Sequence, residues 1–156
     1  MRLVVALGVL TVLGLAAWVR LAPSDAAAWH VDPVRAGPPG AGGWKAGEAP
    51  ADAEGPVFAA PPRAVLEAVE AVAADTPRTA RLAGSAAEGR ITYVTRSRLW
   101  GFPDYTTVAA TPAEGGTRLT VLARLRFGSS DMGVNRARVE DWSRQVAERL
   151  DPSSGT

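Results

Sequence analysis

Residues 117–127 read TRLTVLARLRF, and this stretch decides the fold. Side chains of an extended strand alternate between two faces. Here Leu119, Val121, Ala123, Leu125 and Phe127 take one face, and Arg118, Thr120, Leu122, Arg124 and Arg126 take the other. A period of two with one apolar face is the pattern of a half-buried antiparallel strand. Immediately upstream, Glu114-Gly115-Gly116 is a turn, and Tyr105–Thr111 is the strand returning from it. Gly101-Phe102-Pro103-Asp104 supplies turn chemistry before that strand. Ile91–Leu99 alternates again, with Arg96 and Arg98 sharing a face.

Further upstream, Thr79–Ala83 reads as a strand followed by a Gly84–Gly89 turn, and Pro56–Ala59 as a short strand. Pro61-Pro62 fits the first turn of a helix. Val65, Leu66, Val69, Val72 and Ala73 then recur on one helical face until Pro77 stops it near Asp75. A last helix is expected over Arg136–Leu150, with Val139, Trp142, Val146 and Leu150 as its apolar stripe. Glu140–Arg144 and Arg144–Glu148 have the i,i+4 spacing of ion pairs on its other side. The order β-α-β-β-β-β-α with short connections defines an α+β fold. The expectation is an antiparallel sheet of about four to five strands with helices packed on one face.

If the three long strands pair in sequence order, Arg96 and Arg98 flank one side of a floor of small residues, and Arg124 and Arg126 the other. Guanidinium groups bind carboxylate or phosphate in a forked geometry. These four arginines, joined by Arg138, are therefore the candidate anion-binding residues. Residues 90–149 hold ten arginines against six acids, a local positive bias in a chain whose net charge is only +1. Arginine supplies all the basic residues except Lys45, so its choice over lysine carries little information. A solvated sheet face filled with arginine is the competing reading.

The segment GSSDMGVNRARVEDW, residues 128–142, concentrates acid, amide and arginine at a helix start. Spacing gives nearly every residue a structural task. Asn135 is the expected N-cap. Val134 and Val139 have the spacing of a hydrophobic staple. Gly133 suits a positive φ, and Asp131 suits a bond to backbone amides two residues on. Arg138 is placed to lay its stem along Trp142. The Asp-x-Gly-x-Asn spacing lacks the ligand count of a calcium loop, so no metal is expected.

Leu3–Val19 is an uncharged apolar run of seventeen residues between Arg2 and Arg20. That is near the lower limit of about 17 residues for a membrane-spanning helix. Residues 1–22 are expected to be a transmembrane anchor, with a signal cleaved near Ala26-Ala27-Ala28 as the alternative. Either reading exports the rest of the chain. The expected address is the inner membrane with the domain facing the periplasm, or the periplasm itself after cleavage. Residues 35–56 carry six glycines and four prolines, so 23–55 is expected as an extended linker. The domain then covers 56–151, and 152–156 form a disordered tail. Trp44 is expected to pack on the domain, and His30 to be structural or solvated.

The chain has no cysteine and a single histidine, which excludes disulfides, thiolate zinc sites, a cysteine nucleophile and a histidine-rich metal centre. Near-neutral charge argues against nucleic acid as a partner. No cofactor motif is present. Nucleophile elbow, catalytic triad and phosphate-loop patterns are likewise missing.

TRSRLWGFPDY, residues 95–105, followed by GSSDMGVNRAR, residues 128–138, resembles the bacterial and plastid domain-of-unknown-function family 1499. The resemblance covers about Val57–Leu150. Its matching residues are Arg96, Ser97, Arg98, Phe102, Pro103, Asp104, Asp131, Gly133, Asn135, Arg136 and Arg138, with Trp142 beside them in the final helix. It implies an envelope or membrane-associated location and no assigned activity. The functional expectation is a membrane-tethered module that binds an anionic lipid or an acidic protein partner through the arginine face. The alternatives are a hydrolase using Asp104 or Asp131 as base, and a purely structural envelope factor.

Overall fold

The alternation of 117–127 does produce a central strand, and the sheet grows on both sides of it. A computed structural model describes residues 1–151; the expected tail, 152–156, lies outside the described residues. The elements are α1 (Arg2–Leu21), α2 (Ala26–Trp29), β1 (Trp44–Gly47), β2 (Ala53–Glu54), β3 (Val57–Phe58) and α3 (Pro62–Asp75). They continue with β4 (Thr79–Ser85), β5 (Arg90–Arg96), β6 (Pro103–Ala113), β7 (Gly116–Leu125) and α4 (Val134–Leu150). The sheet runs β2-β1-β7-β6-β5-β4, and β3 pairs with β7 beyond the end of β1.

This is the expected α+β class, with more strands. Seven are present against the four to five read from sequence, and the sheet is mixed because β1 and β2 run parallel. The extra strands come from the stretch 23–55, read from its glycines and prolines as a linker. It is extended over much of its length, but it packs on the domain. Trp44, Lys45 and Ala46 pair with Ala123, Leu122 and Val121 of β7. Two to four residues of pairing carry too little periodicity to stand out in a proline-rich tract.

Helices α3 and α4 cover one face. Val65, Leu66, Val69 and Val72 of α3 and Val139, Trp142 and Val146 of α4 are buried against Ile91, Tyr93, Val108, Leu119, Val121 and Ala123. Each such side chain withdrawn from water contributes about 1.5–3 kcal/mol. The Trp142 ring meets Tyr93 edge-on at 5.5 Å, and its Nε1–H donates to Thr76 Oγ1 at the end of α3. One residue thereby joins both helices and the sheet.

The other face is covered as well. Residues 22–36 leave α1 and cross it as a strap that includes the single turn α2, capped by Asp25. The apolar helix α1 is long and apolar enough to cross a membrane, and it is almost entirely exposed. Only its last turns touch the domain: Val19 is buried, and Trp18 lies 5.7 Å from the ring of Phe127.

Candidate functional site

The strap changes the setting of the candidate arginines. β5, β6 and β7 pair in sequence order, as the groove required. The face carrying Arg90, Thr92, Arg96, Tyr105, Thr107 and Arg124 is nevertheless not an open groove. Trp29 of α2 stacks on Tyr105 at 3.8 Å, and the Arg124 guanidinium sits over the same indole at 4.9 Å. Arg124 also donates to the Trp29 carbonyl at 2.6 Å. Arg126 donates to the Pro23 carbonyl at 2.6 Å and to the Tyr105 hydroxyl at 3.2 Å, which Ser24 also contacts at 2.8 Å. Arg96 donates to the Gly101 carbonyl at 3.1 Å.

Arg98 departs furthest from the expectation. β5 ends at Arg96, and a turn closed by Ser97 and Phe102 carries Arg98 off the sheet into solvent. Arg138 belongs to a different cluster, described below. The sequence grouping of five arginines therefore divides into three places.

A directed hydrogen-bond chain ties the strap down. Arg90 Nε–H donates to His30 Nε2 at 3.2 Å, so that nitrogen carries no proton. The proton is then on Nδ1, which donates to Thr92 Oγ1 at 2.8 Å. Thr92 passes the direction to Thr107 at 3.0 Å, and Thr107 donates to the Trp29 carbonyl at 3.3 Å. Burial, then the neighbouring Arg90 charge, lowers the His30 pKa, with Glu88 opposing. The imidazole is held neutral by its surroundings.

One buried and one half-buried cation complete this face. Lys45 lies opposite Leu122, on the strap side of β1, and is 0% exposed. Its ammonium donates to the Ala36 carbonyl at 2.6 Å. Desolvation lowers the pKa of Arg124, whose buried Nε has no partner. Among the described residues, Lys45, Arg90, Arg96, Arg124 and Arg126 all lack a carboxylate within ion-pair distance. Their acceptors are carbonyls, a phenol, an imidazole and a π-face. A cavity of about 440 Å³ opens beside them, lined by Val31, Asp32, Arg35, Ala36, Leu122 and Arg124 among others. Charge buried without a counter-ion is costly unless a ligand supplies one.

Sequence reasoning passed over Lys45, Trp29 and Tyr105 as site residues. Lys45 did carry a signal, as the one lysine in a chain that otherwise uses arginine. For Trp29 the signal was an aromatic in a segment without periodicity.

The corner at 128–142 forms a second cluster, whose polar side chains bond to groups of the protein itself. Gly133 is the residue before α4, in the left-handed conformation at φ 84°, which glycine adopts without strain. Asn135 is not the N-cap; it lies one residue inside the helix and is completely buried. Capping falls to Asp131, whose two oxygens accept from Gly133 N and Asn135 N. Val134 is exposed at the first helical position, so the expected staple with Val139 does not form. Asn135 donates to the Gly42 carbonyl at 3.0 Å and accepts from Arg138 at 2.8 Å. The Arg138 guanidinium reaches on to Asp104. Arg136 takes Glu140 as its partner and lies 5.0 Å from the Trp44 ring; Arg144 keeps Glu148 and adds Asp141. The expected Glu140–Arg144 pair gives way to these.

Asp104 and Asp131 do converge. Burial raises the Asp104 pKa, Arg138 opposes that, and Asp131 adds to it. Pro103 is buried at the start of β6, and Phe102 is exposed just before it. Both carboxylates are committed to internal donors that fix where α4 crosses the sheet. No group of three or more potential metal ligands is present among the described residues.

These features define a class: an α+β domain with a mixed sheet, two helices on one face, a strap on the other and an apolar helix in front. Over residues 44–146 the chain matches the model of a family described as a protein of unknown function, DUF1499. The chain belongs to that family. No curated protein and no solved structure matches it. The match begins at Trp44, so the family unit includes β1, whereas the strap precedes it.

Proposed function

We propose that the chain is a membrane-tethered binding module, anchored by α1 with its domain in the periplasm. In this reading its strap-covered sheet face holds the carboxylate or phosphate of an anionic ligand. The observation that carries the reading is a half-buried Arg124 lining a cavity, with the buried Lys45 bonded to Ala36 of the cavity wall and, among the described residues, no carboxylate within ion-pair distance of either cation. A ligand anion entering beside residues 31–38 meets Arg124 in the cavity lining, while the Lys45 ammonium, bonded to the Ala36 carbonyl, adds positive charge from behind the wall. Arg90, Arg96 and Arg126 add to the positive field around it. Asp32 on the cavity wall, 3.6 Å from Arg35, is the competing anion a ligand displaces.

Retention of α1 is supported by its contacts. Val19 and Ala22 are buried against the domain, and the alanines that form the alternative cleavage site lie within α2. Cleavage there separates the arginines from the Pro23 carbonyl that Arg126 binds.

Thermal unfolding of the full chain in detergent, with inorganic phosphate or short carboxylates added, tests the site. The expected result is a ligand-dependent rise in Tm that is lost in both Lys45→Met and Arg124→Gln. No rise in the wild-type chain overturns the assignment.

A further inference from the structure

A second site lies at the end of the sheet where α1 leaves, and its chemistry is different. The C-terminal ends of β5 and β7 and the start of β6 meet there, because Arg96 pairs with Pro103 and Asp104 with Leu125. The loops beyond carry apolar residues into solvent: Leu99 is 77% exposed, Trp100 46%, Phe102 38% and Met132 95%. Phe127 stands among them, 6.1 Å from Phe102 and 5.7 Å from Trp18. Between this end and α1 runs an apolar cavity of about 390 Å³, walled by Val12, Leu15 and Val19 of the helix and by Trp100, Phe102 and Phe127 of the domain.

Three arginines lie next to residues that line or flank the cavity. Arg20 packs against Gly101, Arg126 lies over the Phe127 ring at 5.2 Å, and Arg98 projects from the loop that carries Trp100. None of the three has a carboxylate partner among the described residues.

The depth of the contacts is informative. Val12 lies nine residues before Leu21, about 13 Å along a helix that rises 1.5 Å per residue. Half of a bilayer's hydrocarbon core is about 15 Å. With α1 in a bilayer, the cavity that these loops share with Val12–Val19 lies in the outer half of that bilayer. Tryptophan favours the interface that bounds this zone, and arginine reaches the headgroups from within it.

We propose that this end of the domain is seated in the membrane and that the cavity holds an acyl chain of an anionic phospholipid, with its headgroup on Arg20 and Arg98. Half of the cavity wall is the tether itself, so site and membrane are continuous, and the arginine rim matches the sign of the headgroup. The inference rests on the tether reading but not on the anion site under the strap, which is centred on Lys45 and Arg124; Arg126 lies near both.

The test uses the full chain with Trp18→Phe, reconstituted in vesicles of phosphatidylcholine with a minor share of phosphatidylglycerol. One or the other lipid carries bromine on its acyl chains, and flotation is measured in parallel. Brominated lipid is expected to quench roughly a quarter of the emission, one of the four remaining tryptophans. That loss disappears in Trp18→Phe/Trp100→Phe. Quenching by the phosphatidylglycerol is expected to exceed its share of the lipid, and Arg20→Gln/Arg98→Gln removes the excess. Floating protein whose emission is equal in plain and brominated vesicles overturns the seated site and leaves the tether standing. Quenching in proportion to lipid share overturns the anionic headgroup contact. Protein that fails to float overturns tether and seat together.

Discussion

The Arg138 guanidinium stands 3.4 Å from the Asp104 carboxylate, and the two side chains are only 11% and 13% exposed. Asn135 shares the same guanidinium and binds the Gly42 carbonyl, so one buried network joins α4, β6 and the segment before β1. Removing one partner of a buried pair costs about 3–5 kcal/mol because the other charge is left unpaired. Arg138→Ala is expected to lose that much in urea unfolding. Arg138→Leu/Asp104→Leu is expected to lose markedly less than either truncation alone.

Asp104 also gives the network a pH signature. Burial raises its folded pKa, with Arg138 opposing, so the folded state binds this proton more tightly than the unfolded chain. Stability from this group is then greatest at acid pH, falls as pH rises past the unfolded value near 4, and levels off above the raised folded value. The wild-type stability minus that of Asp104→Asn is expected to decline across that window. A difference that rises with pH there contradicts this reading of the site.

The strap is expected to respond to pH in the opposite sense. Burial and Arg90 lower the folded pKa of His30, with Glu88 opposing, so its contribution is complete above the unfolded value near 6.5. It is lost as pH falls through the depressed folded value, where the protonated imidazole no longer accepts from Arg90. Amide exchange in residues 26–34 is expected to accelerate over that acid interval. In His30→Phe the same amides exchange quickly at every pH.

Gly84 provides a second handle on the strap. Its φ is +80°, and a Cβ there meets the Arg90 carbonyl oxygen at 2.0 Å and the His30 ring at 2.8 Å. Gly84→Ala is expected to cost about 1–3 kcal/mol from backbone strain. It is also expected to raise strap exchange without altering that of α3, a pattern general unfolding does not give.

Lys45 distinguishes a binding site from a structural cation. A buried charge without a counter-ion is a cost that an apolar side chain of similar length removes. Lys45→Met is expected to make the ligand-free chain at least about 1 kcal/mol more stable while abolishing the anion-dependent rise in Tm. Loss of stability assigns the ammonium to holding Ala36 alone.

Periodicity is a local property, and it sufficed wherever one face of an element is buried along its whole length. Leu119, Val121 and Ala123 of β7, the apolar stripe of α3 and the Val139-Trp142-Val146 stripe of α4 lie in the core as their spacing requires, while Leu125 and Phe127 are only half-buried at the strand's end. The α+β class and the order of β5, β6 and β7 follow from them. The helix entrance at 128–142 was legible as structure instead of chemistry, but not in its capping residue. Asp131 and Asn135 are equally good caps by type, and the pull of Gly42 and Arg138 on the Asn135 amide decides between them.

What covers the arginine face depended on contacts between residues 62 to 103 positions apart, which no spacing encodes. Trp29 docks on Tyr105, His30 on Thr92 and Pro23 on Arg126. Each is a single stacking or hydrogen-bonding event in a segment with no repeat. Only the tertiary structure turned a linker into a roof, moved Arg98 and Arg138 away from the stripe, and left the buried Lys45 and half-buried Arg124 as the cations of the site.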